Sequence, residues 1–188
     1  MDEKLEAPDP KKAGLAAVLR GTERIELLVQ ELLLFSRDEA FKLEPLDPIP
    51  LLNEALRSAA SSWGGKVELE IETETLVKAD KEKLLRVFLN GARNAIQAMG
   101  EEGTLRVSVG RDRRWVWVAM EDSGPGIPEG EIPRLFTPFH TTKTDGTGLG
   151  LAYSKKVLEG MGGRISLRNR NQEGGAVLSI QLPRTGDS

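Results

Sequence analysis

The sequence predicts an α+β protein: a two-layer α/β sandwich in which helices cover one face of a mixed sheet, preceded by a long N-terminal helix. Three observations lead there. From residue 66 to residue 183, stretches alternating apolar with polar residues are interleaved with stretches of helical period, and two strand candidates close the chain as an antiparallel end. Residues 11–40 instead carry a broad apolar stripe at three-four spacing. Between them lies FKLEPLDPIP (41–50), whose three prolines read as a linker. The chain therefore divides into residues 1–46, a helix with its linker, and residues 47–188, a body large enough for its own core.

The elements follow in order. Leu15, Val18, Ile25, Val29 and Leu32 fall on one helical stripe, with Thr22 filling a register position, and Leu19, Leu28, Leu33 and Phe35 widen it. That breadth suits a multi-helix bundle. One helix cannot bury such a face, so either a partner helix or the rest of the chain must cover it. Asp47 and Pro48 make a cap and a first helical position for a short helix to about residue 62, with Leu52, Leu56, Ala59 and Trp63 along one side. Val67, Leu69 and Ile71 alternate with charged residues, the period of a half-exposed strand. Asp80 caps a long helix to about residue 99. Strands are expected at 104–109 and 115–120, a helix over 149–159, and strands near 164–168 and 176–182.

Composition narrows the chemistry. With 26 basic against 29 acidic side chains and a formal charge of −3, nothing favours nucleic acid or an anionic membrane as partner. The absence of cysteine removes disulfides, thiolate metal sites and a thiol nucleophile, and the single histidine cannot build a zinc cluster. The longest uncharged stretch, GGAVLSIQLP (174–183), is too short to cross a bilayer. The start, MDEKLEAPDPKK, lacks the apolar core of an export signal. A cytoplasmic location without membrane contact by this chain is expected, with the cytoplasmic part of a membrane-bound sensor included in that expectation.

Four strings carry the chemistry, and each has an ordinary reading beside its functional one. On the long helix, LLRVFLNGARNAIQAMG (84–100), Asn90 and Asn94 lie four apart on one face with Arg86, Arg93 and Gln97 nearby. Asparagine is a poor helix former, so the pair needs a reason. Its amides either meet a hydrated cation and phosphates, or form an exposed polar stripe, which by itself the helix fits better. In EDSGPGIP (121–128), period-two alternation puts Asp122 on the face of Val116, Val118 and Met120. A carboxylate there needs a fixed partner, for which an exocyclic amino group is suitable. A tight turn with an exposed Asp is the commoner meaning of such a string. In TDGTGLGLAYSKKV (144–157), Gly146, Gly148 and Gly150 run into a helix, a phosphate site or a glycine-rich hinge. The spacing is neither a Walker loop nor the dinucleotide fingerprint. IPRLFTPFHTTK (132–143), with Phe136, Phe139 and Lys143, suits a mobile lid anchored by aromatics, or a plain long loop.

Their order and spacing are distinctive. An asparagine pair on a helix, D-x-G-x-G after a strand, a phenylalanine-rich lid and G-T-G-L-G-L entering a helix closely resemble the N box, first glycine box, F box and second glycine box of sensor histidine kinases. These belong to the gyrase, heat-shock chaperone, histidine kinase and mismatch-repair ATPase superfamily, the Bergerat fold. The resemblance covers residues 66–182, while ELLLFSR (31–37) more loosely resembles the second helix of a dimerisation hairpin. It implies ATP and Mg2+ as cofactors, with Asn90, Asn94 and Lys143 catalytic and Asn94 as the metal ligand. Asp122 would read adenine and Gly124, Gly126 and Ile127 shape its pocket. Arg93, Gln97, Phe136, Thr142, Lys143, Gly146, Thr147, Gly148, Leu149 and Gly150 complete the nucleotide-binding set. ATP-hydrolysing relatives carry a glutamate where Asn90 stands, and an amide cannot take a proton, so the resemblance implies that ATP is held intact for transfer.

One departure stands out. The family's acceptor motif, an H-E pair on the first hairpin helix, is absent, and the stretch before Leu15 is too short for that helix. The only histidine, His140, lies in the lid string with no following acidic residue. The expectation is a catalytic fragment that does not phosphorylate itself. Its partners would be a histidine-bearing dimerisation hairpin and a response regulator receiver domain, with a homodimer through the N-terminal helix as a further expectation. Two other functions compete: an anti-sigma-type protein serine kinase, against which the long helix counts, and a non-catalytic ATP-binding regulatory module.

Overall fold

The computed structural model describes residues 15, 18, 19, 21, 22, 25, 26, 28, 29, 31–33, 35, 40–72, 75–143, 146–170 and 174–185. After the N-terminal helix come β1 (Glu44–Leu46), α1 (Pro48–Ala59), β2 (Lys66–Ile71), β3 (Val77–Ala79), α2 (Lys81–Met99), β4 (Thr104–Arg111), β5 (Trp115–Asp122), α3 (Gly150–Gly160), β6 (Arg164–Asn169) and β7 (Ala176–Pro183). A 3-10 turn at Ile132–Arg134 lies between β5 and α3.

Alternation decides which face of the sheet is dry. In β5, Val116, Val118, Met120 and Asp122 are buried, while the residues between them are only half-buried. Leu105, Val107 and Val109 of β4 and Leu178, Ile180 and Leu182 of β7 continue the same face. The strand order is β2-β4-β5-β7-β6, with β2 parallel to β4 and every other neighbour antiparallel. That is the expected mixed sheet with an antiparallel end.

α1, α2 and α3 lie on the dry face, giving two layers. α2 buries Leu84, Val87, Phe88, Ala92 and Ala95 in one cluster with the sheet residues, α1 adds Leu51, Leu52, Ala55 and Leu56, and α3 adds Val157 and Leu158. Both predicted caps form. Asp47 accepts the Ile49 N–H at 2.9 Å. Asp80 accepts the Lys83 N–H on Oδ1 at 3.1 Å and the Lys42 N–H on Oδ2 at 3.0 Å. The second bond ties the chain ahead of β1 to the start of α2, and with two donors the buried Asp80 carboxylate is satisfied.

Two local expectations change. Within the stretch read as a linker, residues 44–46 form β1, antiparallel to β3 in the register Glu44 with Ala79 and Leu46 with Val77. Strands of three residues are too short to display a period, and their pairing is between distant segments, so local pattern has no hold on them. α1 ends at Ala59, and Trp63 beyond it donates its indole N–H to the Gly100 carbonyl at 2.9 Å.

All described residues between 15 and 35 are helical. Leu15, Val18, Leu19, Ile25, Val29, Leu32 and Leu33 remain between 46% and 65% exposed, so the body does not cover the stripe. Ala40, at the expected end of that helix, is described and is not helical; the remainder of the expected 11–40 helix, and the MDEKLEAPDPKK start, lie outside the described residues. Among the described residues no helix is long and apolar enough to cross a membrane.

Candidate functional site

The face of α2 that carries Asn90 and Asn94 meets two other elements. Asn90 Nδ2 donates to the Gly150 carbonyl at 3.1 Å and to Ser154 Oγ at 3.4 Å, which fastens α2 to the first turn of α3. One turn later, the Lys143 ammonium donates to both the backbone O and Oδ1 of Asn94, each at 3.3 Å, and to Gln97 Oε1 at 3.0 Å. The pair is therefore half-buried and engaged, unlike an exposed polar stripe. Arg93 is exposed.

Burial pushes the Lys143 amine below its ordinary value, and the Asp122 carboxylate opposes that shift. A cation held among neutral oxygens and facing one carboxylate gains by the arrival of an anion. Asp122, at the end of β5, is 6% exposed. Its Oδ1 accepts the N–H of Gly124 at 2.9 Å and that of Ala176 at 3.2 Å, so the carboxylate has fixed partners rather than solvent. The loop that follows is pinned at its far end. Asn169 Oδ1 accepts the Ile127 N–H, and Asn169 Nδ2 donates to the Ile127 carbonyl, both at 2.7 Å.

The 132–143 segment is anchored by one of its aromatics. Phe136 is half-buried with the Lys155 ammonium 6.0 Å from its ring centroid, while Phe139 is 61% exposed and takes φ +64°. His140 Nε2 and Glu131 Oε2 lie 2.6 Å apart, giving the lone histidine a partner just ahead of the segment. The Phe139 N–H donates to the Gly148 carbonyl at 3.0 Å. Gly148 has φ +72°, and a Cβ there would lie 2.5–2.8 Å from backbone atoms of Phe139 and His140, so only glycine allows this approach. Gly146 packs against Thr141 Oγ1. Thr142 is exposed and Leu149 is 1% exposed. Residues 144 and 145 of the glycine string lie outside the described residues.

The N-terminal helix reaches this site. The Glu31 carboxylate accepts from Thr147 Oγ1, and the Lys156 ammonium donates to the Phe35 carbonyl at 3.0 Å. Glu31, Arg86, Asn90, Leu149, Gly150 and Tyr153 line one small hollow there, with Arg86 stacked 5.3 Å over the Tyr153 ring. The structure thus gathers Asn90, Asn94, Gln97, Asp122, Lys143, Thr147 and Gly150 around the junction of α2, α3 and the glycine loops, and leaves Arg93 and Thr142 at its surface. Sequence reasoning missed Glu31, Glu131, Tyr153 and Asn169. Each acts through a partner distant in the chain or sits in a string without a motif, so no local signal marks it.

A family model described as "Histidine kinase-, DNA gyrase B-, and HSP90-like ATPase" matches residues 79–186, more than half of the chain. The chain belongs to this ATPase family. It is similar to the sensor histidine kinase ZraS of Escherichia coli (strain K12), with 34% identity over 176 residues that cover 90% of this chain and 37% of that protein. It is similar too to the nucleotide-free catalytic domain of histidine kinase ThkA, with a TM-score of 0.70 and 32% identity over 77% of this chain and 97% of that one. ThkA in complex with response regulator protein TrrA gives a TM-score of 0.79 at 27% identity, over 97% of this chain and 54% of that chain. The chain spans about 37% of the length of ZraS, the curated relative named here.

Proposed function

We propose that this chain is the ATP-binding catalytic part of a sensor histidine kinase, passing the γ-phosphoryl group of Mg-ATP to a histidine on a dimerisation hairpin outside these 188 residues. A response regulator receiver domain would then take the phosphoryl group. The observation that carries this reading is the meeting of Asn94, Lys143 and Asp122 at one junction: an amide oxygen, a desolvated ammonium and a buried carboxylate.

The residues fit the ligands. Ionised Asp122 only accepts hydrogen bonds, and with Oδ1 held by two backbone N–H groups it reads the exocyclic amine of adenine. Gly124, Gly126 and Ile127 shape that pocket. For the metal, the described residues contain no cluster of three or more His, Cys, Asp or Glu side chains that could hold an ion. A single amide oxygen, Asn94 Oδ1, suits magnesium, which keeps several waters and takes phosphate oxygens instead of an all-protein cage. Bound magnesium supplies neutralisation of charge on the phosphates.

Lys143 would pair with the phosphates from the lid, and Gly146, Thr147, Gly148, Leu149 and Gly150 would close over them at the start of α3, where helix N–H groups favour an anion. Gln97 holds Lys143 ready, Phe136 anchors the lid, and Arg93 and Thr142 belong to the rim of the nucleotide site. Asn90 is bonded to Gly150 and Ser154 and, as an amide, cannot take a proton from water. Hydrolysis is therefore slow, and the γ-phosphorus is kept for an incoming imidazole. On transfer, the bond from that phosphorus to the bridging oxygen breaks, a nitrogen–phosphorus bond forms, ADP leaves and the imidazole gives up its proton. His140, paired with Glu131, is a lid residue and not the acceptor.

Residues 1–46 would form part of the hairpin and 47–188 the ATP-binding domain, with β1 lending one strand across that boundary. The uncovered apolar stripe of the N-terminal helix supports a homodimer through it and disfavours a compact anti-sigma-type serine kinase. The cytoplasm, where ATP is available, is the compartment this reading requires. Incubation with γ-labelled ATP, with and without a hairpin protein bearing the acceptor histidine, tests it. Acid-labile label on the hairpin alone is expected. Acid-stable label on serine would move the assignment to the serine kinase, and ATP binding without any transfer would leave a regulatory module.

A further inference from the structure

β6 and β7 end on one rung, Asn169 opposite Ala176, and both halves of that rung reach across to the same loop. The Ala176 N–H holds Asp122 Oδ1 at 3.2 Å at the loop's start. Asn169 holds both backbone groups of Ile127 at 2.7 Å at its end. The residues next to the rung are tied as well: the Arg170 N–H donates to the Gly175 carbonyl at 3.0 Å, and Arg170 Nε lies 3.6 Å from Glu121 Oε2. The Gly175 backbone packs directly on the Asp122 carbonyl.

The loop between these two grips, SGPGI, has one polar side chain, Ser123, whose hydroxyl accepts the Thr104 N–H at 2.9 Å at the β5 end; at the Ile127 end the side-chain hold comes from Asn169. Gly126 sits at φ +80°, where a Cβ would come within 3.0 Å of Asn169 Oδ1. A glycine-rich segment left to itself samples many conformations, and each residue that must be ordered on ligand binding costs free energy. A carboxamide that donates to and accepts from one residue fixes that residue's two peptide planes together, so the order is already present before a ligand arrives.

We propose that Asn169 is a positioning residue that sets base selectivity, holding Ile127 and the glycine loop in register with Asp122 so that the pocket accepts adenine over guanine. This rests on the reading of Asp122 as the purine contact. The Asn169 amide hydrogen-bonds to the Ile127 backbone at the Asp122 end of the site, so its effect belongs to the base and not to the phosphates, which are served by Lys143 and the second glycine loop at the α3 end.

Calorimetric titration of the whole chain with Mg-ATP and with Mg-GTP, for wild type, Asn169→Ala and Asn169→Ser, tests it. Wild type is expected to bind ATP in preference to GTP. Asn169→Ala is expected to weaken ATP by about tenfold, the scale of one or two lost hydrogen bonds, with little change for GTP, so that the ratio of affinities narrows. Asn169→Ser, whose hydroxyl falls a bond length short of Ile127, is expected to narrow the ratio as alanine does and to stand in should the alanine variant unfold. Equal losses for both nucleotides, or an unchanged ratio in a folded variant, overturn the positioning role while leaving ATP binding intact. A wild type that binds no ATP removes the proposed function itself.

Discussion

Replacing Asp122 with asparagine exchanges one oxygen for an amino group. The asparagine Oδ1 can still accept from Gly124 and Ala176, bonds of 2.9 and 3.2 Å in the native chain, so the new amino group takes the outward position. There it meets the exocyclic amine of adenine donor to donor. The loss comprises a hydrogen bond to a charged acceptor, worth about 1.5–3 kcal/mol, and a penalty of about 1–3 kcal/mol for the unsatisfied donors. A net effect of about 3 kcal/mol weakens ATP roughly a hundredfold. Guanine presents a carbonyl oxygen at the same ring position, so GTP binding is expected to improve in the same variant. Calorimetry with both nucleotides measures this, and thermal unfolding checks that the two backbone bonds persist. Unchanged ATP affinity, or equal losses for ATP and GTP, would refute the purine role of Asp122.

Other consequences are separable. Asn94→Ala is expected to abolish the magnesium dependence of ATP affinity, reducing the value with metal to the value without it in a paired titration. Because burial lowers the Lys143 pKa, the cost of burying its ammonium is present below the folded value and is relieved as pH rises through it toward 10.5. Phosphates favour the charged form, so ATP binding at alkaline pH should take up a proton, seen as buffer-dependent heats that vanish in Lys143→Met. Gly148→Ala places a methyl against the Phe139 and His140 backbone and in a left-handed conformation. A loss of about 1–3 kcal/mol in lid ordering is expected, read as faster proteolysis between residues 132 and 148. Asp80→Ala removes acceptors for two backbone N–H groups, and urea unfolding should register about 2 kcal/mol less stability with ATP affinity of the folded protein unchanged.

The sequence carried the elements whose signals are local. Asp47 and Asp80 announced two helix starts, and the alternation of WVWVAMED placed Asp122 on the dry face where the structure buries it. It could not carry what depends on distant pairing. β1 and β3 exist through each other, and the grip of Asn169 on Ile127 spans 42 residues. The contact of Glu31 with Thr147 spans 116. Phe136 and Phe139 look alike in the string IPRLFTPFHTTK, yet Phe139 takes a positive φ and is exposed while Phe136 is half-buried, a distinction that composition does not encode.

Backbone amide shifts on titration with magnesium and a non-hydrolysable ATP analogue test the central claim most directly. The account predicts saturable shifts concentrated at Asn94, Asp122, Gly124, Lys143, Gly148 and Gly150, with the outer face of the sheet silent. Saturation with shifts dispersed over unrelated surfaces, or no response at millimolar analogue, would contradict it.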